Sequence, residues 1–386
     1  MNNYEKNKQI FYIYTILTGK MFVGTTQVLF LTNKGFSLTE IMLISTITGI
    51  SSLVLEIPTG MLADRVGYKK CISMGLAIDL IAYVFILLSN QYWHIVVYAI
   101  LISMGEATIS GADYSLLYES FLILKQEKKY KDYLRKVNSK KMYVVAVLTI
   151  LSGFLYNLNK YIPFAITILL YAMAFLLSFF YTDIRSNKEN IVHIKDNVIF
   201  SISSIKKNKK FQLYIIEGAC FTVLFLNQNI LLQEYMNDIG INVSLFGIVF
   251  FGYNCISAFI SKRSGMLEKK LGNGTKVVLT LLIVVSFIIA GICANVIGIF
   301  VLSLCRVSIA TINPMLDSQV NECINGGNRA TLLSIYSASN SVMDSIFSPL
   351  IGMGVDKYGI FETYIILGGF FVFFVLFLFM EQIKKM

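Results

Sequence analysis

Charge and histidine are scarce in this sequence, and their scarcity excludes several classes of protein. Charged residues make up 15% of the 386 residues, whereas apolar residues make up 56%. A soluble domain carries about 25% charged residues, so this chain lacks the polar side chains to cover a water-facing surface. The two histidines, His94 at the first residue of an apolar segment and His193 in a polar stretch, are isolated from each other, which argues against a histidine-ligated metal centre. The composition therefore indicates a polytopic membrane protein.

Cysteine spacing and phosphate-binding motifs exclude further kinds of site. The six cysteines lie in or beside apolar segments, without the spacing of a metal site or a disulfide framework, and we interpret them as small core residues. The sequence contains no G-x-x-x-x-G-K-[ST] pattern, so it has no P-loop to drive work by nucleotide hydrolysis. We expect neither a metal nor an organic cofactor.

Twelve apolar segments reach the length of about 20 residues that a helix needs to cross a bilayer. They cover roughly residues 9–31, 38–59, 71–89, 94–119, 141–159, 162–182, 211–234, 243–262, 275–295, 297–321, 330–351 and 361–380. Helix signals mark several boundaries, because a capping box at residues 37–40 opens span 2 and Pro163 lies near the start of span 6. Spans 9 and 10 are divided only near Asn295.

The distribution of Lys and Arg predicts the orientation of these spans. With both termini inside, 28 of the 33 basic residues fall in cytoplasmic segments and three, Lys34, Lys160 and Lys357, fall outside. Such an asymmetry indicates a multi-pass protein of a bacterial inner or plasma membrane with cytoplasmic termini. It also explains the net charge of +10 by contact with an anionic leaflet, so no nucleic-acid partner is needed.

The chain contains internal repeats. An eight-residue signature that begins at Gly60 returns at Gly265, and fades at Gly352 and Gly153. The halves match at an offset of 205 residues, which pairs Gly35 with Gly240, Gly60 with Gly265 and Gly67 with Gly272. We predict six-helix bundles over residues 1–182 and 211–386, joined by a cytoplasmic linker over 183–210. The linker contains either an amphipathic helix on the inner membrane surface or a solvated chain. Repeats of this kind are typical of transporters that work by alternating access.

Residues 56–70, EIPTGMLADRVGYKK, resemble the loop between helices 2 and 3 of the major facilitator superfamily, whose pattern is roughly G-x-x-x-D-R-x-G-R-R/K. The positions that fit are Gly60, Asp64, Arg65, Gly67, Lys69 and Lys70, whereas Tyr68 stands where the family often has Arg. Residues 110–119 and 329–334 resemble small bacterial members described as drug or macrolide efflux proteins. The resemblance implies an all-α fold of twelve helices in two pseudo-symmetric bundles, with spans 1, 4, 7 and 10 around a central cavity.

We interpret the motif loop as a gate. Gly60 and Gly67 let the chain turn sharply between closely packed helices, and Asp64 can pair with Arg65 or accept hydrogen bonds from helix N-terminal amides. Two acidic residues near the cytoplasmic end of span 4, Asp113 and Glu119, are candidate partners of this latch. The alternative is a tight turn with a surface ion pair.

Charged residues in the middle of spans are candidates for proton coupling, because each costs roughly 2.5–3.5 kcal/mol on insertion scales. One lies in each predicted cavity span, and a fifth lies in span 11: Lys20, Glu106, Glu217, Arg306 and Asp344. We expect Lys20 to pair with Glu106 and Arg306 with Glu217. The alternative is that permanent ion pairs fix helix packing. Asp79, in the peripheral span 3, is interpreted as a satisfied packing contact.

Uncharged polar residues in the same spans are candidates for the substrate site. They are Tyr14 and Gln27 in span 1, Asn227 and Gln228 in span 7, Asn313 in span 10, and Tyr336 and Asn340 in span 11. Aromatic side chains can provide walls for flat or cationic molecules.

The function predicted from these features is proton-coupled secondary active transport by a monomer that exports an amphiphilic small molecule or drug. The partners expected are a small-molecule substrate, protons and the lipid bilayer. Two alternatives within transport are uptake of a nutrient or peptide by a symporter, and flipping of a lipid precursor. A distant alternative is a polytopic membrane enzyme, which would need a cluster of catalytic residues that the two isolated histidines do not provide.

Overall fold

The computed structural model describes residues 3–184, 208–261, 274–323 and 329–383, with side chains except at 56–57, 60–65, 261, 329–331, 334 and 380–383. The helices are α1 (Asn3–Leu17), α2 (Gln27–Thr32), α3 (Leu38–Val66), α4 (Tyr68–Leu87), α5 (Tyr92–Ile109), α6 (Ala112–Ile123), α7 (Glu127–Leu158), α8 (Ile162–Ser178), α9 (Lys209–Asp238), α10 (Phe246–Ser261), α11 (Thr275–Cys293), α12 (Val296–Cys323), α13 (Arg329–Tyr358) and α14 (Ile360–Ile383). A short 3₁₀ helix, Val243–Leu245, precedes α10.

Nine helical segments of the described chain are long and apolar enough to cross a membrane, and α8 is a shorter apolar helix. The predicted spans 1 and 11 are outside this group for different reasons. Span 1 is divided between α1 and α2, and α13, which forms span 11, is rich in serine. The all-α polytopic fold is confirmed.

Two predicted spans are not continuous helices, and the prediction was wrong at these points. Span 1 is unwound between Leu17 and Gln27, and Lys20 within it has a φ of 52°. Span 4 breaks between α5 and α6, where Gly111 has a φ of 81°. A left-handed residue cannot continue a right-handed helix, and it costs a residue with a Cβ roughly 1–2 kcal/mol. Apolar content alone did not indicate either break.

Local signals at other helix ends are confirmed. The Ser37 N–H donates to Glu40 Oε2 at 2.9 Å, and the Glu40 N–H donates to Ser37 Oγ at 3.2 Å, which completes the predicted capping box. The Asp356 carboxylate adds a cap at the same helix, because it accepts the N–H groups of Leu38 and Thr39, both at 2.8 Å. The division of spans 9 and 10 is also confirmed, at the left-handed Ala294.

The chain forms two compact units. Unit 1 comprises Met1–Phe36, Ile47–Asn190 and Val243–Ile248, and unit 2 comprises Ser37–Thr46, Ile191–Asn242 and Val249–Met386. Each unit therefore includes the start of one helix from the other half of the sequence. Residues 185–207 of the predicted linker, with its amphipathic helix, lie outside the described residues.

Helices α4 and α5 of unit 1 approach each other at two glycines. A Cβ built on Gly75 would lie 2.7 Å from the carbonyl oxygen of Gly105, and one built on Gly105 would lie 2.9 Å from that of Gly75. Only glycine permits such contact between helix backbones in a membrane. This contact sets the position of Glu106, one residue further along α5.

Candidate functional site

The two charges predicted to pair in the N-terminal half are in contact in unit 1. Lys20 lies in the unwound segment between α1 and α2, and its Nζ forms an ion pair with Glu106 Oε1 in the last turn of α5. The predicted Lys20–Glu106 pair is confirmed. The side chains are 46% and 52% exposed, and because a charge in contact with lipid is costly, this exposed face is suited to water.

Both helix breaks of unit 1 lie beside this pair. Within the unwound segment, the Gly19 N–H donates to the Ile16 carbonyl oxygen and the Gly24 N–H donates to the Lys20 carbonyl oxygen, both at 3.1 Å. On the other side, the Ser110 N–H donates to the Glu106 carbonyl at 2.8 Å and ends α5. Non-helical backbone at membrane depth is tolerated where it is buried in protein or lines a water-filled cavity. Discontinuous helices with such backbone form binding sites in many transporters.

Tyrosines that the sequence analysis did not single out surround the pair. Tyr83 and Tyr98 are buried, interact electrostatically with Lys20, and have ring centroids 6.2 Å apart. Tyr171 packs against Tyr83 with centroids 4.8 Å apart, and its hydroxyl donates to the Thr18 carbonyl at 3.3 Å. That bond ties α8 to the unwound segment. The only sequence feature that could have indicated these tyrosines is the spacing of Tyr83, which lies four residues after Asp79 and so on the same face of span 3.

Asp79 is not the satisfied packing contact that its peripheral span suggested. The residue is 2% exposed, and its Oδ1 is buried without a hydrogen-bond partner among the described residues. Its carboxyl group lies against Gly105, where a Cβ would overlap Oδ1. The charged groups that act on it are Glu106 and Lys20. Asp79 is therefore the third ionisable side chain of the unit 1 site.

The pairing predicted in the C-terminal half is wrong. Glu217, on α9, forms its ion pair with Lys276 at the start of α11, and the two side chains are 2% and 12% exposed. Lys276 lies in the first turn of α11, and nothing in its sequence position indicates a buried partner. Arg306, on α12, instead donates to Asn229 Oδ1 at 3.2 Å and lies 5.0 Å from the ring centroid of Phe225. Among the described side chains, no carboxylate forms an ion pair with Arg306.

Asp344 belongs to a buried polar cluster between α9 and α13. Asn227 Nδ2 donates to Asp344 Oδ1 at 2.9 Å and to Ser348 Oγ at 2.6 Å. The Ser348 hydroxyl donates to the same oxygen of Asp344 at 2.7 Å. Two hydrogen-bond donors thus replace a cation at this carboxyl group.

The predicted substrate-binding residues fall into two groups. Five of them are buried: Asn227, Gln228, Tyr14, Tyr336 and Asn340. The side-chain amide of Gln228 donates to the Leu302 carbonyl oxygen at 3.3 Å. Gln27 and Asn313 are half-buried, and Gln27 bonds to Tyr98 beside the ion pair. Gln27 thus contacts a tyrosine of the unit 1 site, and the substrate-binding role of every residue in this set stays a prediction.

The motif loop is described in part. Gly67 has a φ of 97° and precedes α4, as a sharp turn requires. Asp183 Oδ2 lies 2.9 Å from the position of a Cβ on Gly67, and its Oδ1 accepts the Lys69 N–H at 3.3 Å. Asp183 therefore caps α4. The side chains of Asp64 and Arg65 are outside the description, so their latch with Asp113 or Glu119 stays a prediction. Asp113 Oδ1 accepts its neighbour's N–H, that of Tyr114, at 2.7 Å.

A family model described as the Major Facilitator Superfamily matches residues 10–122 and 142–348. The chain belongs to this superfamily. It is similar to an uncharacterized MFS-type transporter, YxaM, of Bacillus subtilis (strain 168), with 22% identity over 379 residues that cover 94% of this chain and 92% of the relative. The chain is accordingly a multi-pass membrane transporter, as the motif at residues 56–70 predicted.

Solved transporter structures share the fold. The nucleoside transporter NupG aligns with a TM-score of 0.76 at 12% identity, over 98% of each chain. A POT family transporter in complex with 5-aminolevulinic acid aligns with a TM-score of 0.73 at 12% identity, over 98% of this chain and 96% of that one. A bacterial homolog of the human lysosomal transporter Spinster aligns with a TM-score of 0.70 at 15% identity, over 98% and 95%.

Proposed function

We propose that this major facilitator protein is a proton-coupled secondary active transporter that exports an amphiphilic small molecule in exchange for protons. The observation that carries the proposal is the Lys20–Glu106 pair, which lies mid-span between two helix breaks and is about half exposed. We further propose that it works as a monomer by alternating access, in a bacterial inner or plasma membrane with both termini cytoplasmic.

The chemistry of coupling follows from the partners of Glu106. As a carboxylate it neutralises Lys20, and as a neutral acid it releases that cation to bind another group. Exposure to water favours a charged carboxylate and desolvation disfavours it, so opening and closing such a site couples proton binding to the conformation of the protein. Arg306 cannot lose its proton in a protein and serves as a fixed charge in unit 2.

The substrate class is inferred from what lines the two charged regions. Phe225 beside Arg306 is 36% exposed and offers an aromatic face next to a charge, and the buried Tyr83 and Tyr98 lie beside Lys20. Such surfaces suit an amphiphilic molecule with a flat apolar part. The second candidate is a symporter for a nutrient or peptide, and it is favoured by one observation. Arg306 has no carboxylate partner among the described side chains, so it suits a substrate with a carboxylate.

The test is transport by purified protein in liposomes under an imposed pH gradient. A trapped pH-sensitive dye reports proton movement while ethidium and a panel of antibiotics are added as probes. We expect a probe to evoke proton movement in the opposite direction. Glu106→Gln should abolish this proton movement and retain downhill probe movement. Asp64→Asn, a control in the predicted gate, should slow both movements together.

Two outcomes would contradict the export proposal, and a third would contradict the role of Glu106. Probe movement that ignores the pH gradient would indicate a uniporter. Proton and probe movement in the same direction, with peptides or nutrients as the effective probes, would support the symporter. Undiminished proton movement in Glu106→Gln would show that Glu106 is not the coupling site.

A further inference from the structure

Asp79 is a buried carboxyl group that the proposed mechanism does not use. It lies on α4 behind the Lys20–Glu106 pair, 2% exposed, with Oδ1 unpartnered among the described residues. Its position is enforced by Gly105, because any larger residue there would overlap the carboxyl oxygen. The chain thus makes room for a polar group where an apolar one would pack more easily.

The charges around Asp79 do not balance if every group is ionised. The unwound segment contributes one cation, Lys20, and α5 contributes Glu106, which already pairs with it. The other elements near Asp79 contribute phenols: Tyr14 from α1, Tyr83 from α4 itself and Tyr171 from α8. The carboxyl group of α6, Asp113, acts on the same Tyr14. One cation therefore faces two carboxyl groups.

An ion that is buried without a partner loses several kcal/mol of solvation, and such a group becomes neutral instead. Because Lys20 is already paired, the arrangement of lowest free energy has Glu106 ionised and Asp79 protonated. The three groups then hold one exchangeable proton and no net charge.

We propose that Asp79 is held as a neutral acid and stores the proton of the unit 1 site, which it exchanges with Glu106. In this step the O–H bond of Asp79 breaks, and the proton binds the Glu106 carboxylate directly or through water. Asp79 becomes the carboxylate that faces Lys20, and Glu106 becomes neutral. The net charge of the three groups does not change. The unwound segment allows Lys20 to follow the negative charge.

This inference rests on the proposed proton coupling, but its first test needs no substrate. Infrared difference spectroscopy of the purified protein in lipid nanodiscs detects the carbonyl stretch of a protonated carboxylic acid. We expect such a band in the wild type at neutral pH and its loss in Asp79→Asn. Glu106→Gln should lose the band as well, because Lys20 then has no other partner and Asp79 ionises to pair with it. Glu5→Gln, at the Lys8–Glu5 ion pair of α1, is the matched control and should retain the band. Identical spectra of wild type and Asp79→Asn would overturn the proposal.

Thermal stability provides a second readout if Asp79→Asn assembles poorly. A neutral acid can be replaced by the isosteric Leu with little loss of stability, because no ion is removed from Lys20. If Asp79 were ionised, Asp79→Leu would be strongly destabilising, and the thermal unfolding midpoint would drop most at high pH. Equal midpoints of wild type and Asp79→Leu support the neutral acid, and a large drop overturns it.

Transport then separates the role of Asp79 from the proposed function. With ethidium or another effective probe, Asp79→Asn should lose gradient-driven accumulation and retain downhill movement. If the wild type shows proton-coupled transport and Asp79→Asn matches it, the proton store is overturned while the proposed function stands. If the acid band depends on Asp79 but the wild type moves no protons, the neutral acid stands and its role in coupling is overturned.

Discussion

Two ion pairs in this protein have the same chemistry and opposite surroundings. The Lys20 and Glu106 side chains are about half exposed, whereas those of Glu217 and Lys276 are almost fully buried. Exposed pairs contribute at most about 1 kcal/mol to stability, so the first pair is available to break and reform during a transport cycle. The second pair is buried, and removing one of its members leaves the other as a charge that water cannot solvate.

We therefore predict that Lys276→Met destabilises unit 2 by about 3–5 kcal/mol, because it leaves the buried Glu217 carboxylate without its cation. The measurement is the thermal unfolding midpoint of the purified protein. The double variant Lys276→Met/Glu217→Gln is the control and should recover most of the loss. If the single variant is as stable as the wild type, the pair is not a structural one.

The helices show how the chain creates sites by interrupting its own regular structure. Between α5 and α6 the interruption depends on Gly111, whose φ of 81° excludes most other residues. Between α1 and α2 it includes Lys20 itself. In both places the break lies within about one and a half turns of a charge of the Lys20–Glu106 pair.

We predict that Gly111→Ala destabilises the α5–α6 junction by about 1–2 kcal/mol, because alanine resists a left-handed backbone. Hydrogen exchange at residues 106–115 should increase, and proton-coupled transport should decrease. Gly252→Ala is the matched control, since Gly252 lies in α10 with open space around its Cα. That variant should be neutral or slightly stabilising. Equal behaviour of the two variants would contradict a specific backbone role for Gly111.

At the scale of the whole molecule, the twelve predicted spans depend on hydropathy and on basic residues. Prediction succeeded where a physical signal is local, as at the capping box of Ser37 and Glu40 and at the break near Asn295. It failed where the outcome depends on a distant partner. Lys276 has the same sequence features as a loop lysine, and only the tertiary structure brings it to Glu217. Asp79 was misinterpreted because the gap that Gly105 leaves for it is on another helix.

The predicted orientation of the protein in the membrane can be tested with reporter fusions. Reporter fusions of alkaline phosphatase after residue 130, in the basic first half of α7, should be inactive, because this segment is predicted to be cytoplasmic. Fusions after Lys160, between α7 and α8, should be active, because the enzyme folds only outside the cytoplasm. Green fluorescent protein at the same two positions is the control and should give the reciprocal pattern. The reverse result at both positions would invert the predicted topology.

The left-handed backbone at Lys20 has a mechanical consequence. A charged side chain on a continuous helix can change its ion-pair partner only if the whole helix tilts or slides, which disrupts the packing contacts of that helix. A charge on an unwound stretch can do so by rotating a few dihedral angles. The unwound segment therefore provides unit 1 with a local hinge. Rotation about a few backbone bonds can redirect the Lys20 ammonium group while the surrounding helices stay in place.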